Sequence, residues 1–328
     1  MRFLLPLLAL PAALPSPVTP REVTNPAIRK VYTFGINRFT ENMAVRCNSR
    51  LLLTSMSVPT LFQVNPLLAS PDASILYTFP NASGLMGITE TTTDDVFALT
   101  TGTWDLANTR AEFGSLNIYT IDLRPSTPTV KHIANILNST IFNGITSVPG
   151  NRKLILAADS ALGAVWKVNL STGAYDIAFS DPLFAPISQN QGQNLGINGL
   201  LAKGSYLYFT NSAQGLYGRV PISSSGAKNG PVQILSNPTM GIVFDDFPID
   251  GSGNAWIASH PSQVVKVRNG GAQKVLTNAT ALLNPTSARF GRGSARQLRT
   301  LYITNGGEFT ADFDLINSGV VSFDTAGF

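Results

Sequence analysis

The sequence carries a single cysteine, Cys47, in 328 residues. An intramolecular disulfide and a cysteine-built zinc or iron–sulfur site are therefore excluded, and stability has to come from packing. Charged residues are scarce as well, at 13% against the roughly 25% of an ordinary soluble domain. With 44% hydrophobic residues, that balance excludes a disordered or charge-solvated chain. A net charge of +4 with no long basic run offers no phosphate-binding stripe, so nucleic acid is not an expected partner. Beyond the N-terminus no stretch of about eighteen uninterrupted apolar residues occurs, and no membrane anchor is expected. There is no Gly-x-Ser-x-Gly elbow and no Gly-rich phosphate loop leading from a strand into a helix. Serine-triad hydrolysis, phosphoryl transfer and nicotinamide chemistry drop out with them.

The first residues, MRFLLPLLALPAALP, join one positive charge to a short apolar run and then to small residues and proline. This reads as a secretory signal peptide over positions 1–19, too short and too proline-broken to span a bilayer as a helix. Four Asn-x-Ser/Thr sequons, at Asn81, Asn138, Asn169 and Asn278, accord with a secreted or lumenal chain.

A repeat organises the remainder, positions 20–328. Six stretches, led by Glu41, Met86, Asn143, Asn198, Asp245 and Asn284, each hold a lead residue, a short apolar strand, a polar turn and a strongly β-prone strand. LLLTS, KLILAADS, YLYFTNS and LYITNGG are examples of the last. The leads lie 39 to 57 residues apart, which matches four-stranded propeller blades with variable loops. With 28 glycines, 21 prolines and almost no helical period, the expected fold is an all-β, six-bladed β-propeller. The chain ends on a third-strand segment, GVVSFDT, so RKVYTF from Arg29 is expected to close the ring beside it and remove an exposed edge. A two-layer sandwich is the competing architecture.

In such a ring the lead residues face one funnel. An outer ring follows from the ends of the second strands: Ser55, Trp104, Asp159, Asn211, His260 and Asn305. Carboxylates and Asn carbonyls on the inner ring suit a hard cation such as calcium or magnesium. The plainer alternative is that buried Asp and Asn side chains only cap backbone N–H groups. His260 is the best candidate for a proton or hydrogen-bond donor near neutral pH. His132, in VKHIANI, belongs to an outer strand, and Cys47 lies in a turn away from the funnel.

NGITSVPGNRKLILAADS and DDFPIDGSGNAWIAS resemble motifs of the senescence-marker-protein/gluconolactonase family of six-bladed propellers. That resemblance implies a divalent metal held by a Glu, two Asn and an Asp, with the Asp as base in lactone hydrolysis. Glu41, Asn143 and Asp245 match the Glu, the second Asn and the Asp. Met86 stands where the other Asn is sought, and Asn198 is its possible replacement from the next blade. LLLTS, AADS and LYITNGG, with the leader and the sequons, resemble the fungal hetero-Diels-Alderases of tropolone-sesquiterpenoid biosynthesis. This narrower resemblance implies that a tropolone quinone methide is joined to a humulene-type terpene, with hydrophobic small molecules as partners and no cofactor. His260, Asn143 and Asn198 would donate hydrogen bonds, Asp245 or Glu41 would assist loss of water, and Trp104, Phe142, Phe244 and Phe247, with Asn211 and Asn305, would bind substrate. A metal-dependent lactonase and a non-catalytic ligand-binding propeller are the alternatives.

Overall fold

A computed structural model describes residues 22–106, 108–187, 195–236 and 242–328. The leader segment lies outside the described residues. Six sheets follow one another around a central axis. Blade 1 consists of Thr40–Val45, Leu51–Ser55, Thr60–Val64 and Ala73–Thr78, counted from the axis outward. Blade 2 is Gly84–Glu90, Val96–Gly102, Leu116–Asp122 and Thr129–Ile136; blade 3 is Phe142–Ser147, Leu154–Asp159, Ala164–Asn169 and Tyr175–Ser180. In blade 4 the strands are Ile197–Lys203, Tyr206–Asn211, Leu216–Pro221 and Gln233–Ser236. Blade 5 holds Val243–Phe244, Ala255–His260, Gln263–Val267 and Gln273–Thr277. Blade 6 is Pro285–Phe290, Thr300–Asn305, Gly319–Asp324 and, returning from the N-terminal side, Arg29–Thr33.

The expected closure is present: Arg29–Thr33 pairs antiparallel with Gly319–Asp324, Arg29 opposite Ser322 and Thr33 opposite Gly319. Joining the two ends of the chain in one sheet fastens the ring where it would otherwise open. A second N-terminal segment, Glu22–Thr24, adds in parallel to the outer edge of blade 5, a pairing the sequence pattern does not announce.

Strands such as LLL and LILAA are apolar without alternation because both faces of each sheet are buried. Leu52 faces blade 2, where it joins Leu61, Leu85, Phe97 and Leu99. Leu51 and Leu53 face blade 6, against Val31, Tyr302 and Val320. The same division repeats around the ring, so that six hydrophobic clusters each fill one gap between neighbouring blades. A sandwich would have one core between two layers, and the radial arrangement excludes it.

Near the axis each innermost strand breaks register shortly after it begins. Thr40 opposes Ser55 but the next pair is Met43 with Leu53; Phe142 opposes Asp159 and the next is Ile145 with Ala157; Ile197 opposes Asn211 and the next is Leu200 with Phe209. Such bulges turn the extra residues out of the ladder. Threonine hydroxyls on two of the second strands tie a neighbouring bulge in place: Thr304 Oγ1 donates to the Glu41 carbonyl at 3.2 Å and Thr210 Oγ1 to the Asp245 carbonyl at 2.9 Å.

Candidate functional site

The bulges carry Glu41, Met86, Asn143 and Asn198 at equivalent places on blades 1 to 4, and in blade 5 Asp245 and Asp246 together oppose Ala258, the Asp245 N–H donating to the Ala258 carbonyl and the Ala258 N–H to the Asp246 carbonyl. Blade 6 departs from the expected lead. Its register runs from Pro285 opposite Asn305 to Ser287 opposite Thr304, so the ring residue is Thr286. Asn284 sits two positions earlier, half-buried, with its Nδ2 donating to the Gly307 carbonyl at 2.7 Å. Met86 turns into the core between blades 2 and 3. The carboxylates and amides of the ring thus come from blades 1, 3, 4 and 5, and blade 6 adds the hydroxyl of Thr286.

Close approach of the bulges explains their glycines. A Cβ on Gly144 would lie 2.6 Å from the Asn198 carbonyl oxygen, and one on Gly199 would lie 2.9 Å from the Asp246 Cα. Neither can be accommodated without moving backbone. The Asn-Gly pairs of blades 3 and 4 are therefore what lets Asn143 and Asn198 crowd toward the axis.

Glu41, Asp245 and Asp246 come close enough to repel one another, and all three are buried. Burial pushes the Glu41 carboxyl well above its usual range, and the neighbouring charges of Asp245 and Asp246 push it further. Asp245 is also raised by burial, opposed by its contact with His260, whose Nε2 lies 3.2 Å from Asp245 Oδ2. Asp246 is differently placed. Its Oδ2 pairs with Arg289 Nη2 at 2.6 Å and accepts from Ser287 Oγ at 3.2 Å, and its Oδ1 accepts from the Phe247 N–H at 2.9 Å.

Three acceptors at this centre have no donor: Asn143 Oδ1, Asn198 Oδ1 and Asp245 Oδ1. The Asn198 amide is oriented by its neighbours. Ser212 Oγ donates to the Phe244 carbonyl at 2.7 Å, so it accepts from Asn198 Nδ2 at 2.9 Å, which leaves Oδ1 bare. Buried polar atoms without a partner are uncommon in folded proteins and usually signal a missing donor. Asn198 thus presents an acceptor where a donor was expected, and Asn143 adds a second bare acceptor beside it. With the Glu41 carboxylate, these oxygens form a donor set of the kind hard divalent cations take. By chemical type the oxygens suit such an ion, although among the described residues no three acidic or histidine side chains converge closely enough to hold one by themselves.

The proposed substrate walls are placed elsewhere. Phe142 packs on Trp166 between blades 2 and 3, and Phe244 and Phe247 lie between blades 4 and 5 with Tyr217 and Ile257. None of the three keeps a face toward the funnel, because a propeller fills its inter-blade gaps with its largest side chains. Trp104 is the staple of blade 2, buried with Met86 and Phe142. Asn211 is spent on structure: its Nδ2 donates to the Leu183 and Ala185 carbonyls and its Oδ1 accepts from the Gln214 N–H. Asp159 likewise caps its turn, accepting from the Ala161 and Leu162 N–H groups and from Trp166 Nε1. Asn305 donates to the Ala281 carbonyl at 2.8 Å and keeps a bare Oδ1. His132 lies on the outer strand of blade 2, against Asn117, and Cys47 is exposed in the turn after the first strand. Asn81 and Asn138 are exposed, whereas Asn169 and Asn278 are half-buried in turns their side chains cap.

Among the described residues, no helix is long and apolar enough to cross a membrane. No protein-family model matches the chain. A Sarocladium schorii protein provisionally named a hetero-Diels-Alderase is 25% identical over 92% of this chain and 84% of its own length. A second, from a Phoma species and under the same provisional name, is 24% identical over 81% of this chain and 83% of its own. Among solved structures, a luciferin-regenerating enzyme superposes with a TM-score of 0.65 at 14% identity, covering 92% of this chain and 96% of that one. The calcium-binding regucalcin of Agrobacterium tumefaciens gives 0.61 at 14% identity, over 92% and 97%. At such identities the structural likeness is one of fold. The chain is a six-bladed β-propeller, related in sequence over most of its length to proteins that carry the hetero-Diels-Alderase name.

Proposed function

We propose that the funnel catalyses a hetero-Diels-Alder cycloaddition between an oxygen-bearing heterodiene and an apolar alkene. As the resemblance implies, the heterodiene is a tropolone-derived quinone methide and the alkene a humulene-type sesquiterpene. The observation that carries this reading is the buried Glu41 carboxyl, whose surroundings favour its uncharged form. A neutral, buried acid donates a hydrogen bond to a carbonyl oxygen, and that draws electron density from the heterodiene as the new bonds form.

The same groups serve the formation of the heterodiene. The C–O bond of a hydroxymethyl precursor breaks, its oxygen takes the Glu41 proton and leaves as water, and the ring hydroxyl proton passes to the His260–Asp245 pair. The ring oxygen becomes a carbonyl; the His260–Asp245 pair then releases its proton to solvent, and Glu41 takes one back from solvent. Cycloaddition then forms one C–C and one C–O bond with no proton transfer, so the protein's part is to hold the partners in register. The leader and the exposed sequons at Asn81 and Asn138 support synthesis through the secretory pathway.

A second reading is favoured by the bare oxygens of Asn143, Asn198 and Asp245. With Glu41 they would hold a divalent cation, which when bound supplies Lewis-acid polarisation of a carbonyl, and the chain would then act as a lactone or ester hydrolase with Asp245 as base. Proton and cation compete for Glu41, so calcium should raise the melting temperature more at pH 8 than at pH 5 in the wild type and not in Asp245→Asn.

The test is product formation from tropolone and terpene partners, followed by mass spectrometry. Product above the spontaneous rate with wild-type protein, reduced to that rate in Glu41→Gln, is expected. Equal product with and without protein would remove the cycloaddition reading, and lactone hydrolysis abolished by chelator would install the second.

A further inference from the structure

Two loops on the funnel face are tipped with hydrophobic side chains that water does not favour. One joins the second and third strands of blade 2 and carries Leu106; the other joins those of blade 6 and carries Phe309 and Phe313. Each forms a small two-stranded flap, Trp104–Asp105 with Arg110–Ala111 and Glu308–Phe309 with Leu315–Ile316. Phe313 is 84% exposed and Phe309 64%. Between the flaps, above blade 1, lies a cavity of about 470 Å³ whose other walls are Phe39, Met56 and Leu315.

The polar atoms in that lining are already used. Asn37 Nδ2 donates to Asp314 Oδ1 at 3.1 Å and its Oδ1 accepts from the Leu315 N–H at 3.0 Å. Ser57 Oγ accepts from the Phe39 N–H at 2.9 Å and donates to the Asn37 carbonyl at 3.1 Å. Thr109 adds one hydroxyl at the rim. A polar occupant would give up its hydration here and find almost nothing in return, whereas an apolar one would cover the two exposed phenylalanines. The volume lies within the roughly 300–1,000 Å³ of small-molecule sites.

The cavity also adjoins the candidate site. Phe39 directly precedes Thr40 and Glu41, and Met56 follows Ser55, the partner of Thr40 across the ladder. A Cβ on Gly306 would lie 2.8 Å from the Phe39 ring, so that ring sits hard against the turn leaving Asn305. The wall of the cavity thus includes a residue two positions before Glu41 in the chain.

We propose that this cavity is the seat of the apolar reactant, a hydrocarbon without polar groups, and that Leu106, Phe309 and Phe313 close over it. Its part in catalysis rests on the cycloaddition reading, whereas binding of the hydrocarbon does not.

Nile red, an apolar dye, reports the site, and caryophyllene, a polycyclic hydrocarbon, competes for it. Saturable dye binding displaced by caryophyllene is expected in wild type and in Glu41→Gln. Phe313→Asp and Leu106→Asp, on opposite flaps, should each weaken it by about tenfold or more, the loss of one buried apolar contact. Ile75→Asp, on the exposed outer strand of blade 1, should leave it unchanged. These positions are exposed enough that folding is not at stake, and circular dichroism checks it. Absence of saturable binding, or binding undiminished from wild type in both flap variants, overturns the proposal. So does self-association that Phe313→Asp abolishes in place of dye binding, which would assign the flaps to a second copy of the chain. Hydrocarbon binding without cycloaddition would refute the reaction and leave the seat intact.

Discussion

The two ends of the innermost strand of blade 1 bury charge in opposite ways. At its lower end Arg46 meets Asp95 of blade 2 with Nε and Nη2, the first at 2.9 Å; Nη1 donates to Gln63 at 2.6 Å and Nη2 to the Leu123 carbonyl at 3.0 Å. Both carboxylate oxygens and all three guanidinium nitrogens have partners. At the upper end Glu41 faces two other carboxylates, and bare oxygens of Asn143, Asn198 and Asp245 lie around it. Low dielectric makes a completed network rigid and an incomplete one costly. A cost kept at one end and removed at the other, on a single strand, marks the upper end as the place where something else completes the network.

That contrast can be broken by exchange of function for stability. The largest effect belongs to Arg46→Ala, which strands Asp95 in the interior and should lower the unfolding free energy by about 3–5 kcal/mol, read from denaturant midpoints. A loss below about 1 kcal/mol would mean the lower pair is no more structural than the upper one. Glu41→Gln should reverse the pattern, with activity down by about a hundredfold or more and no loss of stability. Its pH dependence has a definite sign. Because the folded state raises the Glu41 pKa, its contribution to stability is complete below the unfolded value, near 4.3, and is lost as pH rises through the raised folded value. Glu41→Gln should therefore melt with wild type at pH 4 and above it at pH 8.

His260→Ala sharpens the picture within the upper cluster. Burial raises Asp245 and His260 opposes that, so removal of the imidazole should move the acidic limb of the pH–activity profile to higher pH while changing the melting temperature little. A melting temperature that falls with the activity would make His260 structural. The smallest effect is expected at Thr304→Val, which removes the hydroxyl bond from blade 6 to the Glu41 carbonyl. About 1 kcal/mol of stability should be lost, with a looser Glu41 seen as a smaller pH effect on activity.

Much of this was legible in the residues themselves. Runs such as KLILAA and YLYFT are apolar on both faces, which only a sheet buried on both sides requires, and their recurrence implied a ring. RKVYTF as the closing strand followed from the unfilled place beside GVVSFDT. Glu41, Asn143, Asn198 and Asp245 lay at corresponding repeat positions, and the bulges do gather them. Other assignments failed for a common reason. Asn284 and Thr286 are two positions apart, and only the bulge in blade 6 decides which reaches the axis. Phe142, Phe244 and Phe247 flank ring residues in the chain, yet alternation along the strand turns them into the gaps between blades. The phenylalanines of NGGEFTADFDLINSG mark the flap in the sequence itself, since two aromatic residues in a polar turn have no core to join.

The sequence alone determined the ring, its sixfold repetition and the level along each blade at which polar residues cluster, because these follow from a periodicity that is local. Which of those residues share a charge, a proton or a bare face depended on bulges, on amide orientation and on how two distant loops lean together. Such matters are settled between blades, where contacting atoms belong to segments far apart in the chain, and only the tertiary structure brings them within hydrogen-bond reach.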